Sequence, residues 1–252
     1  MAKISIIVPT LNEAKLIGNL LSSLRAQTFQ EFEVLVVDAG SADLTAAIAV
    51  GFGAKVFVQP DFPEFVARNY AAKLSTAPLL VFSCADTIFP TDLLARVDRH
   101  FSTNQDLKAV TGPDVPYDGS FGLRVEYALY NLLRYVLSRL PNNFKRFSTS
   151  TNILAVRKAT FEAIGGFRQD DVNADGLFGR TVASHFRVLF DNGVRVYISA
   201  RRAREWGITR FTLHYLYVLE NFIPSLARRA WFSSLKMKSL RRHREIHDVE
   251  KP

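Results

Sequence analysis

The chain has 252 residues, 48% of them hydrophobic, enough for one sizeable core and too few for two ordinary large domains. Its formal net charge of +8 suits an anionic partner, whether nucleic acid, nucleotide phosphates or an anionic membrane surface. The single cysteine, Cys84, excludes an internal disulfide and a cysteine-built zinc cluster, which fits a reducing cytoplasmic setting.

Lys3 is followed at once by a strand-like run, so no secretory leader is expected, and no stretch reaches the roughly 18 uncharged apolar residues of a spanning helix. The first unit is ISIIV at Ile4 to Val8, a polar exit Pro9-Thr10-Leu11-Asn12-Glu13, then a helical pattern from Ala14 to Gln27 with Leu16, Ile17, Leu20, Leu21 and Leu24 on one face. It repeats as a strand at Phe32 to Val37, an exit Asp38-Ala39-Gly40-Ser41 and a helix to Val50. Serial strand–helix units of this kind predict a parallel sheet wound right-handed, with Asp38 and Asp86 leaving its same edge. A short strand at Lys55 to Val58 and a helix at Phe65 to Leu74, carrying Arg68, Asn69 and Lys73, lead to LLVFSCADTIFP at Leu79 to Pro90.

That stretch reads as a buried central strand running into a loop at Asp86. Ligands of open α/β sheets collect outside the carboxyl ends of the strands, where a hard divalent cation is held by one or two carboxylates plus substrate phosphates. Asp86 is placed for that role; its alternative is to cap the turn at Pro90, which Thr91 and Asp92 can also do. Further on, FGLRVEYALYNLLRYVLSRL at Phe121 to Leu140 gathers Arg124, Asn131, Arg134, Ser138 and Arg139 on one side of a helix, with apolar residues over most of the rest. It reads as lying in a lipid interface with arginines toward headgroups, the alternatives being a helix over the sheet or a dimer contact. Beyond the basic loop Asn142 to Arg146, a helical stretch at Leu177 to Phe190 follows Asp170-Asp171-Val172-Asn173-Ala174-Asp175-Gly176. Phe211 to Ile223 is apolar on nearly every face, and from Arg228 to Arg244 basic residues interleave with Trp231, Phe232, Leu235 and Met237, a surface-binding pattern.

ISIIVPTLNE at Ile4 to Glu13, VLVVDAGS at Val34 to Ser41, ARN at Ala67 to Asn69 and CADT at Cys84 to Thr87, in this order and spacing, resemble the nucleotide-sugar-binding half of family 2 glycosyltransferases, which have the GT-A fold: an α/β, mostly parallel, Rossmann-like sheet flanked by helices. Val110 to Pro113, STSTNILAV at Ser148 to Val156 and TFEAIGGF at Thr160 to Phe167 match the family again. The resemblance implies that Pro9, Thr10 and Glu13 line the nucleoside pocket, that Asp38 hydrogen-bonds the base or instead caps its helix, and that Arg68 lies near the nucleotide. It also implies that Asp86 binds Mn2+ or Mg2+ on the diphosphate. The family's metal motif is usually Asp-any-Asp; here Cys84 replaces the first carboxylate, and thiolate suits softer ions. Relatives carry an acidic pair after the Gly-Gly-Phe turn whose aspartate is the catalytic base. By that alignment Ala174 stands at the first position and Asp175 would be the base, with Asp170 and Asp171 as competing candidates. Arg201, Arg202 and Arg204 before Trp206 are similar to an arginine–tryptophan motif of cellulose-synthase-like relatives and form a candidate diphosphate clamp.

The expected organisation is a catalytic domain over 1–205, its nucleotide-sugar half at 1–110 and its acceptor half at 111–205, followed by a basic amphipathic segment at 206–252. The resemblance, with the dolichyl-phosphate mannosyl synthase group in view, implies an inverting transferase at the cytoplasmic membrane face, peripheral or monotopic. It would move mannose from GDP-mannose to a lipid-linked acceptor and dock through 121–140 and 211–244. A UDP-dependent glucosyl or N-acetylglucosaminyl transferase and a catalytically silent nucleotide-sugar or membrane-binding module are the alternatives. No nucleic-acid partner is expected, because the basic residues accompany lipid-type apolar faces and no base-reading motif.

Overall fold

A computed structural model of the chain describes residues 2–140, 149–169 and 174–206. The loop 142–146, Asp170, Asp171 and the stretch 211–244 lie outside the described residues.

The chain opens with β1 (Ile4–Thr10), α1 (Ile17–Arg25), β2 (Phe32–Asp38), α2 (Thr45–Gly51), β3 (Lys55–Val58), α3 (Glu64–Leu74) and β4 (Leu79–Phe82). It continues through β5 (Thr87–Ile88), α4 (Leu93–Thr103), β6 (Leu107–Thr111), β7 (Asp114–Pro116), α5 (Phe121–Arg139), β8 (Leu154–Arg157) and α6 (Lys158–Ile164). It closes with α7 (Ala174–His185), β9 (Arg187–Phe190), β10 (Val196–Ile198) and α8 (Arg201–Trp206).

Seven strands form the main sheet in the order β3-β2-β1-β4-β8-β6-β9, with β4 at its centre. Helices cover both faces, which is why β1 and β4 read as continuous apolar runs. Ile4, Ile6 and Val8 pack toward α1 and α4 on one side, while Ile7 meets Ala67, Ala71, Phe161 and Phe178 from α3, α6 and α7 on the other. Each such buried aliphatic side chain contributes roughly 1.5–3 kcal/mol. The register of β1 on β2 runs from Ile4 against Phe32 to Thr10 against Asp38. β1 outruns β4, whose last partner is Ile7. Side-to-side alternation then points the nitrogen of Pro9 past the end of β4, where its missing N–H costs no ladder bond.

β8 runs antiparallel between β4 and β6, so the sheet is mostly parallel, as the resemblance implies. One feature of this sheet departs from the sequence reading. The expected helix at 177–190 is two elements: α7 begins at Ala174, so Asp175 lies inside its first turn, and Arg187–Phe190 is an edge strand parallel to β6. No glycine or proline marks that junction; the exposed edge of β6 and burial of Val188 and Phe190 select the strand.

A second sheet, β5-β10-β7, stands at the carboxyl edge of the first. α5 packs on β7 and β9 with its polar side inward. Leu123, Tyr127, Arg134 and Ser138 are the buried residues of α5, whereas Phe121, Val125, Leu129, Leu132, Leu133 and Val136 are exposed. This reverses the expectation for Arg134. Its guanidinium pairs with Asp114 at 3.4 Å, donates to Asn131 and Thr111, and stacks on Phe190 and Tyr130. Only Arg124 and Arg139 of the three arginines are exposed. No helix among the described residues is long and apolar enough to cross a membrane.

Candidate active site

β1, β2 and β4 are parallel, so Thr10, Asp38 and the turn carrying Asp86 reach one sheet edge together. Asp38 is buried at the end of β2. Its carboxylate accepts from the hydroxyls of Thr10 at 2.9 Å and Ser41 at 2.5 Å, and from the backbone N–H groups of Gly40 at 3.2 Å and Ser41 at 2.8 Å. The helix-capping alternative is not what Asp38 does: α2 starts after Leu44 with no side-chain cap, and Asp38 closes the turn at Gly40 and Ser41. Two of its four donors are hydroxyls, which can rotate away and leave an acceptor for a base N–H. Pro9 is half-buried beside it. Asn12, at φ 53°, takes the left-handed conformation that asparagine tolerates and accepts from Ala42 N at 2.9 Å. Its own N–H donates to Ser41, and that of Glu13 donates to Thr45, so the two strand exits form one laced rim.

Asp86 lies in the turn between β4 and β5, nearly buried, and its side chain accepts no hydrogen bond from the described residues. Its carbonyl accepts from Ser199 N at 3.1 Å, and β5 pairs with β10, which ties the turn to the segment entering α8. Beneath the turn is Arg68, with no exposed surface. Its guanidinium donates to the carbonyl of Ser83 at 2.9 Å, to Glu64 at 2.8 Å and to Cys84 Sγ at 3.2 Å. Arg68 thus lies under the site as a strut for the Asp86 turn. Its neighbour Asn69 clamps the Gly-Gly-Phe turn, accepting from Phe167 N and donating to Phe167 O. Gly166 is at φ 74°, and a Cβ there would meet the Asn69 side chain at 2.7 Å. The ARN triplet therefore holds two separate loops from one helix.

α7 leads into β9 through a short turn, so its N-terminus returns to the carboxyl edge and brings Asp175 with it. Burial pushes the Asp175 carboxyl up to about 6, reinforced by the charge of Glu64 and opposed by the Gly176 N–H, Arg68 and the Thr151 N–H. Gly176 N donates to Asp175 Oδ1 at 2.8 Å, and the Thr149 hydroxyl donates to the Asp175 carbonyl. Glu64 and Thr151 belong to the site and carry no motif of their own; only their contacts with Arg68 and Asp175 reveal them.

Of the three arginines proposed as a clamp, Arg201 reaches the rim, pairing with Glu13 at 2.5 Å. Arg204 turns away to Asp118 at 2.8 Å. The side chain of Arg202 lies outside the described residues. Burial pushes Asp118 up, but Ala200 N, Arg204 and Ser199 together hold it below the ordinary range, so the start of α8 is pinned by an ionised carboxylate.

The Glycosyl transferase family 2 model matches residues 5–165. The chain belongs to that family. The matched span holds the family 2 rim and Asp86; Asp175 and Arg201 lie beyond it. The chain is 26% identical over 186 residues to the O-antigen chain rhamnosyltransferase RfbN of Salmonella typhimurium, covering 70% of this chain and 59% of the relative. It is 36% identical over 115 residues to a PGL/p-HBAD biosynthesis glycosyltransferase of Mycobacterium bovis, covering 43% and 45%. The chain thus spans between two-fifths and three-fifths of the length of these relatives. Among solved structures, the mannosyltransferase PcManGT of Pyrobaculum calidifontis, in complex with GDP-Man and Mn2+, aligns at a TM-score of 0.66 with 23% identity, over 86% of this chain and 63% of that one. S. aureus TarS 1-349 aligns at 0.67 with 20% identity, over 92% and 74%. These likenesses show the GT-A fold.

The donor set of this family 2 site fits a hard cation in one way. No group of three His, Cys, Asp or Glu converges among the described residues. One unengaged carboxylate, Asp86, is suited to Mn2+ or Mg2+ when substrate phosphates complete the coordination. Cys84 faces Arg68 and serves as an acceptor there.

Proposed function

We propose that the chain is an inverting glycosyltransferase that moves a sugar from a nucleoside diphosphate to a hydroxyl of a lipid-linked glycan acceptor at the cytoplasmic membrane face. What carries this reading is the arrival of Asp38, Asp86 and Asp175 at one sheet edge, with Arg68 bridging the turn of Asp86 and the charge of Asp175. Asp175 takes the proton of the acceptor hydroxyl as its oxygen bonds to the anomeric carbon, and the bond from that carbon to the diphosphate breaks with its electron pair leaving on the nucleotide. A carboxyl near 6 is ionised at neutral pH yet basic enough to hold that proton. Arg201 is placed to meet diphosphate charge, exchanging Glu13 for phosphate oxygens. Asp86 would hold a divalent cation, Mn2+ or Mg2+, which supplies charge neutralisation for the leaving group.

For the donor, GDP-mannose remains the first candidate, and the mannosyltransferase neighbour holds it. A nucleoside-diphosphate rhamnose is the second reading, favoured by two relatives named as rhamnosyltransferases at 26% and 24% identity. The test is turnover on lipid-linked acceptors with a panel of GDP-mannose, UDP-glucose, UDP-N-acetylglucosamine and nucleoside-diphosphate rhamnose, with the anomeric configuration of the product read by NMR. An inverted glycoside from one donor is expected. Nucleotide binding with no transfer from any donor would make the chain a silent nucleotide-sugar module.

A further inference from the structure

An amphipathic helix on a globular protein turns its apolar side to the core. α5 does the opposite. Arg134, 1% exposed, is inside with Ser138 and Tyr127, while Phe121 is 83%, Leu129 62% and Leu132 57% exposed. The outward residues Phe121, Val125, Leu129, Leu132 and Val136 follow one another at spacings of four, four, three and four, a single stripe along most of the 19-residue helix. The orientation is fixed from within. Asn131 exchanges hydrogen bonds with the backbone of Asp114, and Arg134 is held by the Asp114 carboxylate, Thr111 and the Phe190 ring, so rolling the leucines inward would carry Arg134 out to solvent and leave the buried Asp114 carboxylate without its cation. An apolar stripe of this length on a soluble surface marks a binding face.

We infer that the stripe Phe121-Val125-Leu129-Leu132-Val136 of α5 is a docking face for an anionic lipid surface, with the helix lying flat on it. Charge selects this occupant. The exposed charged residues of α5 are Arg124 and Arg139, both cationic and placed toward the two ends of the stripe, Glu126 being half-buried, and the chain carries +8. Anionic headgroups complement that pattern. The placement also serves the site. Phe121 follows the Ser120 cap, three residues after Asp118, which holds Ser199 and Ala200, and Ser199 N holds the carbonyl of Asp86. An acceptor carried in the bilayer would therefore enter beside the turn of Asp86. The inference deepens the membrane-face reading above and rests on it for the nature of the acceptor, but its test needs neither donor nor turnover.

The test is co-sedimentation of the full chain with phosphatidylcholine vesicles, with and without phosphatidylglycerol. The parent is expected to bind the anionic vesicles. Leu129→Glu/Leu132→Glu should lower the partition coefficient roughly a hundredfold. Arg124→Gln and Arg139→Gln should each lower it about fivefold, a loss that salt abolishes. Val50→Glu, an exposed apolar site on α2, should leave binding unchanged. Should the leucine double variant melt early, Arg124→Gln/Arg139→Gln carries the test. Vesicle binding by either double variant equal to that of the parent would overturn the proposal. So would a parent that ignores vesicles, whether it self-associates through the stripe in the ultracentrifuge or stays monomeric. Absence of transfer with vesicle binding intact would count against the transferase reading alone.

Discussion

Asp175→Asn separates chemistry from stability in opposite directions. In the folded chain the Asp175 carboxyl is raised from 3.8 to about 6, so the ionised form is disfavoured by folding. At about 1.4 kcal/mol per unit, roughly two units cost up to about 3 kcal/mol, less what partial exposure screens. The sign follows from linkage. This carboxyl is neutral in both states below pH 3.8 and costs nothing there; the cost grows as pH rises toward 6 and is constant above. Asn cannot ionise, so the variant should match the parent at pH 3.5 and be more stable by about 1–3 kcal/mol at pH 7.5, measured by urea unfolding at both values. Transfer to a hydroxyl acceptor should fall roughly 10²–10⁴-fold with donor binding retained, and the parent's rate should decline below pH 6 as the base is protonated. A variant less stable at pH 7.5, or one with full turnover, would refute the assignment. Full turnover with a sugar phospholipid as product would mean that the acceptor is a phosphate that arrives ionised.

Asp86→Ala should abolish metal-dependent donor binding in calorimetry and leave the melting temperature within about 2 °C, because the carboxylate holds no donor among the described residues; unchanged metal dependence would place the cation elsewhere. Arg201→Ala should weaken donor binding about 10–100-fold, as loss of a charge-assisted contact does, while Arg204→Ala, engaged with Asp118, should change it little; the reverse order would exchange their roles. Arg134→Glu should destabilise the fold by about 3–5 kcal/mol, since it sets a second buried carboxylate against Asp114, whereas Arg139→Glu should cost under about 0.5 kcal/mol. Equal melting temperatures for these two would contradict the inward orientation of α5.

The first ninety residues were legible because each strand is an apolar run that ends in a distinctive polar exit, and parallel pairing obliges those exits to share an edge. The direction of β8 was not legible, because three buried residues and an arginine preceding a helix do not reveal which way the strand runs between its neighbours. α5 misled for a physical reason. Periodicity gives two faces, and the rule that polar faces meet water fails where a carboxylate such as Asp114 waits inside to pair with Arg134. Glu64 and Thr151 could not be found at all, since their importance is a contact with Arg68 or Asp175 across the fold.

Those contacts account for the departure at Cys84. An arginine with no exposed surface must be matched by acceptors on every side, and Arg68 finds Glu64, the Ser83 carbonyl and Cys84 Sγ, with the charge of Asp175 also within reach. Where the family's motif usually begins with a carboxylate, this chain needs only an acceptor aimed at that guanidinium, and sulfur supplies it at 3.2 Å. The position therefore braces the turn, and the proposed duty toward a cation falls to the second acidic position of the motif, Asp86. Because Arg68 also lowers the cost of ionising Asp175, the same buried cation that shapes the turn of Asp86 helps keep the proposed base charged.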